Sequence, residues 1–133
     1  MQRLVGSCAV AMLAATIGVG AQAVAEHQGE TARRAVTDNP GVSSMVVMDQ
    51  EAFRVLRDFF EPGAMRTMHA HESAYHVMTV ITGTLRIGFE GAAPIEVTQG
   101  EVLHLDGGVR HSIENIGTNT ATLIEVLDKV AGG

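Results

Sequence analysis

Between Gly63 and Gly83 the chain reads GAMRTMHAHESAYHVMTVITG, and three of its six histidines fall inside that stretch, with a fourth following at His111. On an extended strand His69 and His71, two positions apart, leave the same face with Cα atoms about 7 Å apart, so both imidazoles can converge on one ion. His76 comes after the link Glu72-Ser73-Ala74-Tyr75 and opens an apolar run to Ile81 that can fold back beside the first. A lone histidine on an apolar face is ordinarily a hydrogen-bonded core or surface residue. A cluster is different, because neutral imidazole is a common ligand of zinc, copper, iron and nickel, and metal sites are assembled from several side chains.

The elements that must carry these residues are short. From Ser43 onward apolar runs alternate with turn signals: 45–48, 53–60, 65–71, 76–81, 85–89, 95–97, 102–105, 111–116 and 122–127. Between them stand Glu61-Pro62-Gly63, Thr82-Gly83-Thr84, Glu90-Gly91, Gln99-Gly100, Asp106-Gly107-Gly108 and Ile116-Gly117-Thr118, each with a glycine able to take positive φ. This spacing predicts an all-β sandwich or barrel. Phe53, Leu56 and Phe60 would also fit one face of a helix, as would Ile124 and Leu127, and only their context favours strands.

A chain of 133 residues with 46% hydrophobic content is long enough for one domain and too apolar to be wholly disordered. Its first 25 residues read as a secretory signal peptide: a positive start at Arg3, an apolar run from Leu4 to Val19, and small residues at Ala23 and Ala25 before Glu26. The run is broken by Gly6, Ser7, Thr16 and Gly18 and is shorter than the roughly 20 residues a membrane-spanning helix needs. Cys8, the only cysteine, has most of the apolar stretch after it, the reverse of a lipoprotein signal. Cleavage after Ala25 would leave 108 of the 133 residues and no thiol, which excludes disulfides and cysteine ligation. It removes one of 9 basic residues and none of the 15 acids, giving a formal charge of −7 and making nucleic acid and anionic membrane unsuitable partners. Residues 26–41 are polar and read as a flexible lead-in, leaving 42–130 for the folded domain.

The second histidine-bearing stretch, Gly100 to Asn115, reads GEVLHLDGGVRHSIEN. The chain here resembles the cupin superfamily, whose first motif is G-x5-H-x-H-x(3 or 4)-E-x6-G and whose second is G-x5-P-x-G-x2-H-x3-N. Gly63, His69, His71 and Gly83 match the first motif and Gly100, Gly108, His111 and Asn115 the second, with 16 residues between Gly83 and Gly100. His76 stands where the family usually has glutamate, and Asp106 where it has proline. The resemblance implies a small single-domain, RmlC-like cupin: an antiparallel β-barrel of the jelly-roll or double-stranded β-helix type. It further implies that His69, His71, His76 and His111 face one divalent transition metal, with iron, nickel, manganese, zinc and copper all open. Cupins include dioxygenases, isomerases, decarboxylases, storage proteins and sensors, so the fold leaves the function open.

Four neutral imidazoles would leave the ion's double charge uncompensated, favouring anionic or enolisable substrates and Lewis-acid chemistry. Alternation assigns Met65 and Thr67 to the face of His69, Met78 and Val80 to that of His76, and Ile113 and Asn115 to that of His111. These six residues predict a mostly apolar pocket. No acid or base falls on those faces by this reading, since Arg66, Glu72, Arg110 and Glu114 are out of phase or in a loop. Met65 and Met78 would bring soft sulfur near the imidazoles, which keeps copper binding open, although methionine is more often core filler. His104 reads as a partly buried strand residue. Two functions therefore stand side by side: a secreted metal-dependent enzyme of the oxygenase type, and a non-catalytic cupin that binds a metal or small ligand. Expected partners are a metal ion or small molecule, with no nucleic acid, no membrane after leader cleavage, and a homodimer left open as the assembly.

Overall fold

In the computed structural model, residues 32–72 and 75–129 are described; the leader expected at 1–25 lies outside them. Ten strands follow one another: β1 Arg34–Ala35, β2 Val42–Asp49, β3 Phe53–Phe60, β4 Met65–His69, β5 Tyr75–Thr82, β6 Thr84–Phe89, β7 Ala92–Thr98, β8 Val102–Asp106, β9 His111–Asn115 and β10 Ala121–Asp128. The short strand β1 comes from the polar lead-in and pairs with β2, Arg34 opposite Ser44. Both windows that also fitted a helix, 53–60 and 124–127, are strand, because β3 and β10 pair with each other along their full length.

Every pairing is antiparallel, in two sheets ordered β1-β2-β3-β10-β5-β8 and β4-β9-β6-β7. From β3 onward each connection switches sheets except the β6–β7 hairpin, so the chain winds around a common interior. The fold is the jelly-roll β-barrel. Gly83 occupies one such switch, between β5 and β6, at φ +90°, and a Cβ there would meet Ala121 Cβ at 2.7 Å. Glycine is needed at that corner for both conformation and space.

Strict alternation builds the interior. Along β5, His76, Met78 and Val80 are buried, and along β9 so are His111, Ile113 and Asn115. Val42, Phe60, Met78, Val80 and Leu123 of the larger sheet pack against Leu85, Ile87, Val97 and Ile113 of the smaller. Each large apolar side chain so buried contributes about 1.5–3 kcal/mol.

One strand breaks the rhythm. In β4 the pairing with β9 runs Met65 opposite Glu114, Arg66 opposite Ile113, then His69 opposite His111, so three steps along β4 match two along β9. The extra residue is a β-bulge, which reverses the facing of everything before it.

Candidate metal centre

All four histidines gather at one end of the barrel: His69 closes β4, His71 follows it, His76 opens β5 and His111 opens β9. The Gly108 amide donates to the His71 carbonyl at 3.1 Å, fastening the His71 loop to the turn before β9. Ring centroids lie 4.4 Å apart for His69–His111, 5.0 Å for His69–His71, 4.7 Å for His71–His76 and 5.1 Å for His76–His111.

Hydrogen bonds decide which nitrogen is free in the rings of His69 and His111. His69 Nδ1 donates to the Thr67 carbonyl at 2.7 Å and His111 Nδ1 to the Val109 carbonyl at 3.0 Å. Each bond places the proton on Nδ1 and leaves the Nε2 lone pair available. Nε2 of His69, His71 and His111 are all buried without a hydrogen-bond partner among the described residues, and these three side chains offer ligand atoms within 4.8 Å of one another. Buried polar atoms are rarely left unpaired, so three of them converging make a candidate cation site. Burial lowers the His69 pKa to about 4, that of His71 to about 3 and that of His76 to about 4, and moves His111 in the same direction. All four rings are therefore neutral near pH 7, the state that ligates, while Nε2 of His76 is hydrogen-bonded to Glu125 Oε2 at 2.9 Å.

The bulge in β4 corrects part of the expected pocket. Met65 is 44% exposed and Thr67 is exposed, so neither lines the interior beside His69. With one residue inserted before His69, Arg66 takes the inward position instead, and the copper reading loses its Met65 thioether. Met78 remains inward and buried. Val80 and Ile113 are core residues. Asn115 is buried, but its amide donates to the Phe60 and Asn119 carbonyls at 2.9 and 2.8 Å and its oxygen accepts from the Gly117 amide at 2.9 Å, which commits it to holding loops. His104 is exposed on the outer face, its ring 5.5 Å from that of Tyr75.

The expectation that no acid or base faces the site is also overturned. Glu125 of β10 is fully buried, with Oε2 2.9 Å from His76 Nε2 and 3.9 Å from His71 Nε2. Asp58 of β3, equally buried, has its Oδ2 3.5 Å from Arg66 Nη1. Burial, reinforced by the neighbouring Glu125 carboxylate, raises the Asp58 pKa to about 8, and burial raises that of Glu125 as well. The signal for both was in the sequence. Asp58 is in phase with Leu56 and Phe60, and Glu125 with Leu123 and Leu127, so each is a charge on the apolar side of a strand.

A family model described as Cupin domain matches residues 58–127. Among curated proteins the chain is 28% identical over 102 residues to one designated mannose-1-phosphate guanylyltransferase in Vibrio cholerae, covering 77% of this chain and 22% of that protein. It is likewise 28% identical over 109 residues to germin-like protein 3-7 of Oryza sativa, covering 73% of this chain and 47% of that one. The chain thus spans less than half the length of these curated relatives. Among solved structures, a cupin domain from Bordetella pertussis is 26% identical with a TM-score of 0.60, covering 71% of this chain and 100% of the other. KdgF from Halomonas sp. is 18% identical with a TM-score of 0.64, covering 74% of this chain and 87% of the other, a likeness of fold.

Proposed function

Because this chain belongs to the cupin family, we propose that it is a metal-binding cupin in which one divalent transition metal, held by His69, His71, His76 and His111, meets a small anionic or enolisable molecule. The observation that carries this reading is the convergence of three buried, unpartnered Nε2 atoms. His76 joins them through its ring, packed against those of His71 and His111.

The bound ion would act as a Lewis acid, polarising an oxygen of the substrate. The chain's own residues supply the rest. The two carbonyls of Thr67 and Val109 hold the rings of His69 and His111 in the ligating tautomer. Arg66 brings a guanidinium into the barrel beside Asp58, and a group that delivers fixed positive charge to a half-buried site favours an anion there. The wall formed by Met78, Val80 and Ile113 excludes water from the floor of the barrel. Residues 1–25 serve as an export leader in this proposal, so the centre works outside the cytoplasm.

Oxygen uptake by protein loaded in turn with iron, nickel and manganese tests the catalytic half. Consumption that depends on a small enolisable compound such as a β-diketone, and that His69→Ala abolishes, supports an oxygenase type of reaction. Stoichiometric metal and anion binding with no turnover in any loaded form would overturn catalysis and leave a metal- or ligand-binding cupin.

A further inference from the structure

We propose that Glu125, on the last strand, is itself a ligand of this metal centre and supplies the carboxylate that the first cupin motif lacks here. The inference rests on the metal-binding reading above and adds a ligand from a strand outside both motifs.

The register puts Glu125 within reach. β10 pairs with β5 so that Leu127 lies opposite His76 and Glu125 opposite Met78, which makes Glu125 the diagonal neighbour of His76 on the inward face. Diagonal neighbours on one face are close enough for long side chains to meet. Glu125 therefore arrives from the adjacent strand at the place where His76 has displaced the usual carboxylate.

The distances fit shared coordination. Nitrogen and oxygen ligands about 2.0–2.2 Å from one ion and at right angles to each other lie about 3 Å apart. The separation of Glu125 Oε2 from His76 Nε2 is 2.9 Å, and from His71 Nε2 3.9 Å. His71, His76 and Glu125 offer ligand atoms within 4.8 Å of one another, and His71 also belongs to the trio with His69 and His111. His71 is the ligand common to both groups, so an ion held by His71 is the one that Glu125 would join.

Charge gives the reason. Glu125 is fully buried beside a second carboxyl, Asp58, with which it shares a hydrogen bond, a costly state for a carboxylate without a cation. The nearby Arg66 guanidinium stands against Asp58, with Nη1 3.5 Å from Oδ2. Four neutral imidazoles, for their part, leave a divalent ion with its whole charge. Glu125 satisfies both.

Cobalt(II) is the probe, because its visible absorption reports the ligand set without requiring activity. Glu125→Gln keeps the side-chain shape and removes the charge. Titrated against a chelator, it is expected to bind cobalt more weakly by on the order of 10- to 100-fold, with a shifted cobalt spectrum. The exchange His76→Glu with Glu125→His returns the carboxylate to the motif position, and it is expected to recover binding that Glu125→Gln loses. Wild-type affinity and spectrum in Glu125→Gln, while His69→Ala binds no cobalt, would overturn the Glu125 assignment and leave the histidine site standing. Should His69→Ala also bind like the wild type, the metal-binding reading itself fails. If Glu125→Gln does not fold, the exchange variant decides alone: binding with a wild-type spectrum supports the assignment, and a folded protein without cobalt contradicts it.

Discussion

The side-chain oxygen of Asn39 accepts a hydrogen bond from the Thr67 amide at 2.7 Å, joining the turn before β2 to the bulge in β4. A bulge takes an amide out of the strand ladder, and an unpaired buried amide is costly. Asn39 is itself buried and held by a bond from its Nδ2 to the Thr37 carbonyl at 2.7 Å. Since the Thr67 carbonyl in turn fixes the ring of His69, Asn39 acts on the metal centre through one peptide. Asn39→Ala is expected to cost about 1–3 kcal/mol in unfolding free energy and to weaken metal binding. Urea unfolding alongside a metal titration checks both, and a variant with unchanged stability and affinity would show that the bulge stands without it.

Metal-free protein should be most stable near pH 6.5. His69, His71 and His76 are neutral in the folded state down to about 4, 3 and 4 against an ordinary 6.5, and His111 shifts the same way. Below pH 6.5 the unfolded chain takes up protons that the folded chain refuses, so acidification destabilises. Asp58 runs the other way. Folded, it keeps its proton to about 8 against 3.8, so raising pH toward 8 destabilises, and Glu125 shifts in the same direction. Four imidazoles outweigh two carboxyls on the acid side, and above 6.5 only the carboxyls remain. Urea midpoints at pH 4.5, 6.5 and 8 should pass through a maximum, and Asp58→Asn should flatten the alkaline limb. A monotonic rise to pH 8 would contradict the buried protonated Asp58.

The two motifs made four histidines and the barrel readable from sequence alone, because strand alternation and turn glycines are local signals. What alternation could not carry was a shift in its own phase. One inserted residue ahead of His69 exchanged Met65 and Thr67 for Arg66 on the inner face, and nothing in the composition of 65–69 marks it. Asp58 and Glu125 were missed for another reason. They lie on strands that bear no histidine, and only the pairing of β10 with β3 and β5 brings them to the site.

Changing His76→Glu tests the one position where the ligand motif departs from the family. Metal should be retained, since an oxygen ligand suits this fold, while net charge at the centre falls by one. A small anion such as acetate should bind more weakly by about 1–3 kcal/mol, the range for a lost charge-assisted contact. Calorimetric titration of the metal-loaded variant measures it. Unchanged metal content and unchanged anion affinity would remove His76 from the site.

Export is checked by intact mass. Protein recovered from outside the cytoplasm of the expressing cell should begin at Glu26, after the Ala23 and Ala25 pair. A mass that retains residues 1–25, or a lipid on Cys8, would contradict the leader assignment.

The most direct test of the metal centre is elemental analysis of protein purified without added chelator, comparing wild type with His69→Ala, His71→Ala and His111→Ala. The apolar runs and turn glycines define the barrel, so circular dichroism should show all three variants folded. One transition-metal ion per wild-type chain, and a clear loss in each folded variant, is the predicted result; wild-type stoichiometry in all three would place the ion elsewhere and contradict the account.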